Sequence, residues 1–327
     1  MFKDSVILVT GGTGSWGKEL ILQLLTHGPK EIIIFSRNED RQVKMRREIN
    51  DPCVRFRIGD IRDKEALVQA FKGVDYVFHL AALKHVPVCE EFPMEALKTN
   101  ITGTQNVIEA AIINNVKKVI NVSTDKAANP ANFYGFTKAI GEKLITHANL
   151  LSTNTKFLCV RGGNVLGTNG SVLHLFIDQI TNRNEITITD KRMTRFFLTQ
   201  EDAIKLLLRA AHAGNGGEIF VTNMRACKII DLANVLIEHF GKEVKINETG
   251  PRPGEKLHEV LVSHNEIKDT IVYDSEYFVV LPEIHIEGVR ELYSKFQPIE
   301  GSSYCSDTDL MTYEEITQLL NQSKLLQ

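Results

Sequence analysis

A run of apolar residues from Val6 to Val9 is followed at once by Thr10-Gly11-Gly12-Thr13-Gly14-Ser15-Trp16-Gly17. The glycines at 11, 14 and 17 close a strand and open a helix, because residues 19–25 carry apolar side chains at helical spacing. Gly11 permits a tight turn, Gly14 lets a pyrophosphate approach the backbone, and Gly17 lets the helix pack closely. The helix then aims its amide end at the phosphates. A plain strand-to-helix turn also uses glycine. The setting between a buried strand and an amphipathic helix favours a dinucleotide site, in which Thr13, Ser15 and Trp16 complete the cradle.

Strand patterns at 6–10, 31–36, 54–58, 74–80, 119–123 and 157–161 alternate with helical ones, clearest at 95–114 and 134–148. This alternation predicts an α/β fold, a doubly wound parallel sheet of the Rossmann kind, with its ligand crevice at the carboxyl ends of the strands. A chain of 327 residues has room for a smaller C-terminal α/β domain that binds substrate. The expected division is 1–165 for the nucleotide-binding domain, with segments returning from about 194–222, and 166–327 mainly for substrate. A net charge of −3 offers no nucleic-acid surface. No apolar run approaches the roughly 20 residues of a membrane span, and no basic-then-apolar leader opens the chain. The five cysteines, Cys53, Cys89, Cys159, Cys227 and Cys305, are scattered without a metal or redox pair, which fits reduced thiols in a cytoplasmic protein and no metal site.

The end of the second strand selects the cofactor. An NAD site places a carboxylate there, about 20 residues past the glycines. This chain reads Phe35-Ser36-Arg37-Asn38-Glu39-Asp40-Arg41, a hydroxyl and two arginines that suit a 2′-phosphate, so the expected cofactor is NADP. Glu39 and Asp40 begin the next helix, where acids suit its positive end. After the third strand, Asp60 is placed to accept from the adenine amino group, Ile61 to pack on the ring, and Asp63 to cap a helix. After the fourth, Ala81 and Ala82 let the backbone approach the cofactor and Lys84 points towards the site. His85 reads as a loop histidine. Asn100, inside a helical pattern, must find partners for a buried amide, and holding local backbone geometry is its expected role.

Ser123-Thr124-Asp125-Lys126 ends the fifth strand, and Tyr134 and Lys138 share one face of the next helix. A lysine beside a phenol favours the phenolate, a base for a hydroxyl proton while hydride leaves the same carbon. A Tyr-x-x-x-Lys spacing is common by chance. Following the glycine turn and the Ser-Thr strand end, it becomes specific.

Together these features resemble the extended short-chain dehydrogenase/reductase superfamily over essentially the whole chain. Ala81-Ala82-Leu83-Lys84-His85-Val86-Pro87, Ser123-Thr124-Asp125-Lys126-Ala127, Met193-Thr194-Arg195-Phe196-Phe197 and Arg252-Pro253-Gly254-Glu255-Lys256-Leu257-His258-Glu259 resemble the inverting UDP-N-acetylglucosamine 4,6-dehydratases, which serve pseudaminic acid and related polysaccharide pathways. The resemblance implies C4 oxidation by tightly bound, recycled NADP, with Tyr134 as base and Thr124 steadying the ketone. Lys126 then removes the C5 proton while Asp125 protonates the leaving 6-hydroxyl, and hydride returns to C6. Lys126 acts as a base only if its pKa is lowered; its other reading is simple neutralisation of Asp125 or a phosphate. Phe136 and Cys89-Glu90-Glu91-Phe92-Pro93 depart from the commonest pattern, which leaves open release of a 5,6-ene 4-ketosugar. A UDP-sugar 4-epimerase or reductase would need Tyr134 and Lys138 but not Asp125 and Lys126. A sensor that binds NADP without turnover would usually lack the tyrosine or lysine.

In the C-terminal half, Asn164 and Ser171 are candidates for the sugar or diphosphate, and Thr187 for a uracil pocket. Arg195 and Arg252 are the expected pyrophosphate ligands, since a diphosphate calls for fixed bidentate donors, and Glu255 orients Arg252 or meets the ribose. Helices are expected at 172–181, 201–213 and 230–240, short strands at 186–189 and 273–281, and a tail beyond Ser302 that closes over the substrate. A homo-oligomer is expected through helices 95–114 and 134–148 of two copies.

Overall fold

The computed structural model describes residues 1–167 and 171–323. β1 (Val6–Thr10) has its central residues buried on both faces, as a strand covered by helices on both sides must. It leads into α1 (Ser15–Leu25), β2 (Glu31–Ser36), α2 (Glu39–Ile49), β3 (Val54–Ile58), α3 (Lys64–Ala70) and β4 (Tyr76–His79). Next come α4 (Val86–Glu91), α5 (Pro93–Leu97), a π-helical turn (Lys98–Thr102) and α6 (Gly103–Ile113). β5 (Lys118–Thr124), α7 (Asp125–Ala128), α8 (Phe133–Ala148) and β6 (Lys156–Gly162) complete this half. The six strands are parallel in the order β6-β5-β4-β1-β2-β3. That order reverses beside β1, which opens a crevice at the strand ends between β1 and β4.

Helix starts follow from local chemistry. Asn38 accepts the Arg41 N–H at 2.8 Å and Asp63, as expected, the Ala66 N–H at 3.0 Å. The helix expected at 95–114 is instead α5, the π turn and α6 in succession. Within the turn, Asn100 accepts the Leu83 N–H at 2.8 Å and donates to the Leu83 carbonyl at 2.9 Å and Thr137 Oγ1 at 3.0 Å. The buried amide thus fixes the loop after β4 against α8.

The second half contains β7 (Asn164–Val165), α9 (Val172–Arg183), β8 (Glu185–Ile188), β9 (Thr194–Leu198), α10 (Gln200–Ala213), β10 (Ile219–Thr222), β11 (Ala226–Lys228) and α11 (Ile229–Phe240). β12 (Lys245–Glu248), β13 (Val260–Val262), β14 (Thr270–Val272), β15 (Tyr277–Val280), α12 (Val289–Leu292), β16 (Tyr304–Cys305) and α13 (Tyr313–Gln322) follow. β10 joins the large sheet parallel to β6, and β15 and β14 extend it antiparallel to nine strands. More of the chain therefore returns than the segments 194–222, and β9, at the start of that stretch, lies in a separate sheet with β7 and β11. Two apolar clusters cover the faces of the large sheet, and a third, around Phe176, Leu232, Leu236 and Leu320, builds the smaller lobe.

The tail differs from expectation. β16 pairs with β13, and α13 sets Ile316 and Leu320 into the smaller lobe's core beside α11. Its apolar stripe is buried there, and its first turn is held by a reciprocal Thr312–Glu315 cap, so these residues do not cover the crevice. Among the described residues no helix is long and apolar enough to cross a membrane.

Candidate active site

The crevice is a cleft of about 760 Å³ running from the glycine turn to the smaller lobe. At its floor Gly11 has φ +68°, and a Cβ there would lie 2.8 Å from the Ala81 backbone, so the turn and the end of β4 meet only because the side chain is absent. A Cβ on Gly17 would collide with the Gly12 carbonyl, so this glycine packs α1 against its own turn rather than against the sheet. Thr13, Gly14, Ser15 and Trp16 line the same wall, as do Ala81, Ala82 and Lys84.

Ser36, Arg37, Asn38 and Arg41 form the cleft's edge at the end of β2. The Ser36 hydroxyl accepts from Gln42 Nε2 at 2.9 Å and keeps its own proton to donate. Asp60 and Ile61 also line the edge, yet Asp60 is not the open acceptor expected for adenine. Arg62 donates to its carboxylate from Nε at 2.9 Å, Nη2 at 2.7 Å and the backbone at 3.0 Å, with Arg37 at 3.7 Å. The buried Ser123 Oγ, on the cleft wall, has no hydrogen-bond partner among the described residues.

Thr124, Lys126, Tyr134 and Lys138 face the cleft together. Asn132 caps α8 by accepting the Gly135 N–H at 2.8 Å and ties that end to the Gly254 carbonyl at 3.0 Å. Lys138 Nζ donates to the Val122 carbonyl at 2.5 Å, and burial lowers its proton affinity. Burial pushes the Tyr134 phenol up to about 12, while Lys126 and a hydrogen bond with Thr124 pull it back down. Lys126 thus joins Lys138, to which the residue spacing had pointed, as a cation on the same wall.

Asp125 is the one predicted residue absent from the wall. It is fully buried behind its neighbours, and its Oδ1 accepts from Thr124 Oγ1 at 2.7 Å and Lys126 Nζ at 3.0 Å. Its Oδ2 has no partner among the described residues. Lys126 also contradicts expectation. Burial works to lower its proton affinity, but Asp125 and Glu259 outweigh that and hold it above the ordinary lysine value.

On the far wall lie Asn164, Ser171, Thr187, Arg195, Arg252 and Glu255; Thr168 lies outside the described residues. Ser171 Oγ is buried without a hydrogen-bond partner among the described residues. Arg195 is not the open fork expected for a diphosphate. It is buried, with Nη1 donating to the Thr194 and Leu257 carbonyls at 2.7 and 3.1 Å and Nη2 to the Lys256 carbonyl at 2.9 Å. These bonds hold the 252–259 loop in place. Arg252 is exposed on that loop, and Glu255 accepts its backbone N–H at 3.2 Å.

Glu259 was missed as a functional residue. It is buried, with Oε1 3.6 Å from both Lys126 Nζ and Arg195 Nε and Oε2 4.0 Å from Lys256 Nζ. In the sequence it stands only as the last residue of the Arg252–Glu259 stretch, with no role of its own. Its burial comes from Ser306, which accepts the Glu259 N–H at 2.8 Å from 47 residues away. No local signal carries that contact.

A family model described as "Polysaccharide biosynthesis protein" matches residues 7–281. The chain is 42% identical, over 99% of both chains, to a Campylobacter jejuni protein named UDP-N-acetylglucosamine 4,6-dehydratase (inverting). It is 47% identical to a Rickettsia rickettsii protein named UDP-glucose 4-epimerase, over 98% of this chain and 96% of that one. Among solved structures, Pen from Bacillus thuringiensis superposes with a TM-score of 0.92 at 39% identity, over 99% of each chain. The fold is that of the extended short-chain dehydrogenase/reductases, and with a match over residues 7–281 this chain belongs to the polysaccharide biosynthesis protein family.

Proposed function

We propose that this protein is an NADP-dependent UDP-N-acetylglucosamine 4,6-dehydratase, inverting at C5, that feeds pseudaminic acid or a related surface glycan. One observation carries the choice of dehydratase: a second acid–base pair, Asp125 and Lys126, is built beside Tyr134 at the end of β5. An epimerase has no use for that pair. The 47% identity to a protein named 4-epimerase supports the alternative of C4 epimerisation on the same scaffold.

The cleft fits a dinucleotide: Gly11 lets the turn and the end of β4 close its floor, Ser123 Oγ on the wall has no partner among the described residues, and Ser36, Arg37 and Arg41 suit a 2′-phosphate. A nicotinamide bound there would supply the hydride exchange between C4 and C6 of the sugar. Tyr134 removes the 4-hydroxyl proton, and Thr124, which bonds it, steadies the ketone oxygen. Lys138 is anchored on Val122 and keeps the wall beneath the phenol in place. Lys126 removes the proton from C5, acidified by the C4 ketone. Asp125 is the acid for the leaving 6-hydroxyl, and Thr124 and Lys126, which donate to its Oδ1, hold it in place. Arg252 meets the diphosphate, Asn164 and Ser171 the sugar side, and Thr187 the uracil, while Arg195 and Glu255 shape that wall. The exposed apolar residues Phe92, Met94, Phe136 and Ile140, on or beside α5 and α8, support a homo-oligomer through these helices.

A mass time course on the purified protein with UDP-N-acetylglucosamine and no added cofactor tests this reading. Loss of one water supports a dehydratase, and the cofactor freed by denaturation should be NADP. A product of unchanged mass with inverted C4 supports the epimerase instead.

A further inference from the structure

Lys126 enters the reaction as proposed above only as a free amine, yet two carboxylates touch it and keep it an ammonium. Its proton must pass to a neighbouring group once the sugar fills the cleft that Lys126 lines. Asp125 is a poor destination. Its Oδ1 already accepts hydrogen bonds from Thr124 and Lys126, and Asp125 enters the reaction as the acid for the leaving hydroxyl, already carrying a proton. Glu259 differs in each respect. It is buried, neither oxygen accepts a hydrogen bond from another side chain among the described residues, and Oε2 is orphaned. Its Oε1 lies 3.6 Å from Lys126 Nζ, and a shift of under about 1 Å brings the two to hydrogen-bond distance.

We propose that Glu259 is a positioning residue that takes the proton of Lys126 and so releases Lys126 as the base for C5. This inference rests on the dehydratase reading. Ammonium and carboxylate become amine and carboxylic acid with no change in net charge. The amine then forms an N–H bond as the C5–H bond breaks, and that electron pair becomes the C5=C6 bond as the hydroxyl leaves. The pair then holds one surplus proton, the one from C5, which passes to solvent.

The charged and titratable groups around the pair agree with this assignment. Asp125, Lys126, Tyr134, Arg195, Glu255, Lys256 and Glu259 come from α7, α8, β9 and the 252–259 loop. Burial and then Asp125 raise the proton affinity of Glu259, against the pull of Lys126, Arg195 and Lys256. A neutral Lys126–Glu259 pair also leaves less charge buried than the ionic one.

The test follows solvent deuterium entering C5 of the sugar as a function of pH, beside the cofactor absorbance that reports C4 oxidation, in wild type and Glu259→Gln. With an internal proton acceptor, wild type should exchange at a rate independent of pH between about pH 6 and about pH 9. In Glu259→Gln the proton must leave to solvent, so exchange should fall about tenfold per pH unit towards acid while cofactor reduction is still seen. A uniform loss at every pH, the mark of a merely structural role, overturns the proposal, as does an unchanged profile. The ε-carbon NMR signal of Lys126, assigned by its loss in Lys126→Met, gives a readout apart from turnover: Glu259→Gln should move its titration to lower pH, and an unmoved titration counts against the proposal. If Glu259→Gln does not fold, the wild-type profile decides: flat supports the hand-over and an acid limb overturns it. A wild type that epimerises C4 and exchanges nothing at C5 sinks the dehydratase reading itself, a different and separately visible outcome.

Discussion

Among the described residues, the buried charges around Arg161 and around Lys126 are built in opposite ways. Around Arg161, at the end of β6, all five guanidinium N–H groups are used. Glu142 accepts at 2.8 and 2.6 Å, Glu266 at 3.0 and 2.6 Å, and the Leu261 carbonyl at 2.9 Å. Around Lys126, the charges of Glu259, Arg195 and Lys256 stand 3.6–4.0 Å apart. Asp125 Oδ2, Glu259 Oε2 and Lys256 Nζ are buried there with no hydrogen-bond partner among the described residues. A fully paired cluster locks α8 and the segment after β13 onto the sheet. The under-paired one keeps donors and acceptors in reserve, as a site that moves protons requires.

The first way to break this contrast is to open the saturated cluster. Arg161→Met leaves two buried carboxylates without their cation and should cost about 3–5 kcal/mol, read by denaturant unfolding. A cost under about 1 kcal/mol would mean the pairing is not structural. The contrast is sharpened at the other cluster by Lys256→Met, which removes a buried ammonium that makes no hydrogen bond. Stability should stay within about 1 kcal/mol of wild type or rise. A loss as large as that at Arg161 would make the two clusters equivalent.

How much of this was legible in the sequence divides along the same line. The six strands and the turn from Gly11 to Gly17 were readable because each depends on neighbours along the chain: apolar runs, glycines and caps such as Asp63. β10 and β14 were harder. They are three or four residues long, and their places are set by partners such as β6, some 60 residues away in sequence. The residue types of the candidate site were readable too, since Thr124, Lys126, Tyr134 and Lys138 stand within one strand-turn-helix unit. Their electrostatics were not. Lys126 reads as a base awaiting a lowered pKa or as a partner that neutralises Asp125 or a phosphate, but Asp125 beside it and Glu259 from a distant loop together hold it protonated. Arg195 reads as a phosphate fork, but the backbone carbonyls it satisfies belong to residues 61 and 62 positions later. Long-range burial, which no local pattern encodes, decided these cases.

The claim at the centre is that the Asp125–Lys126 pair makes this scaffold eliminate water rather than only oxidise C4. Its most direct test is single-turnover kinetics of Asp125→Asn with UDP-N-acetylglucosamine, following cofactor absorbance and water loss in the same sample. Cofactor reduction should persist while elimination slows by about 10²–10⁴-fold. Elimination at the wild-type rate would contradict the account.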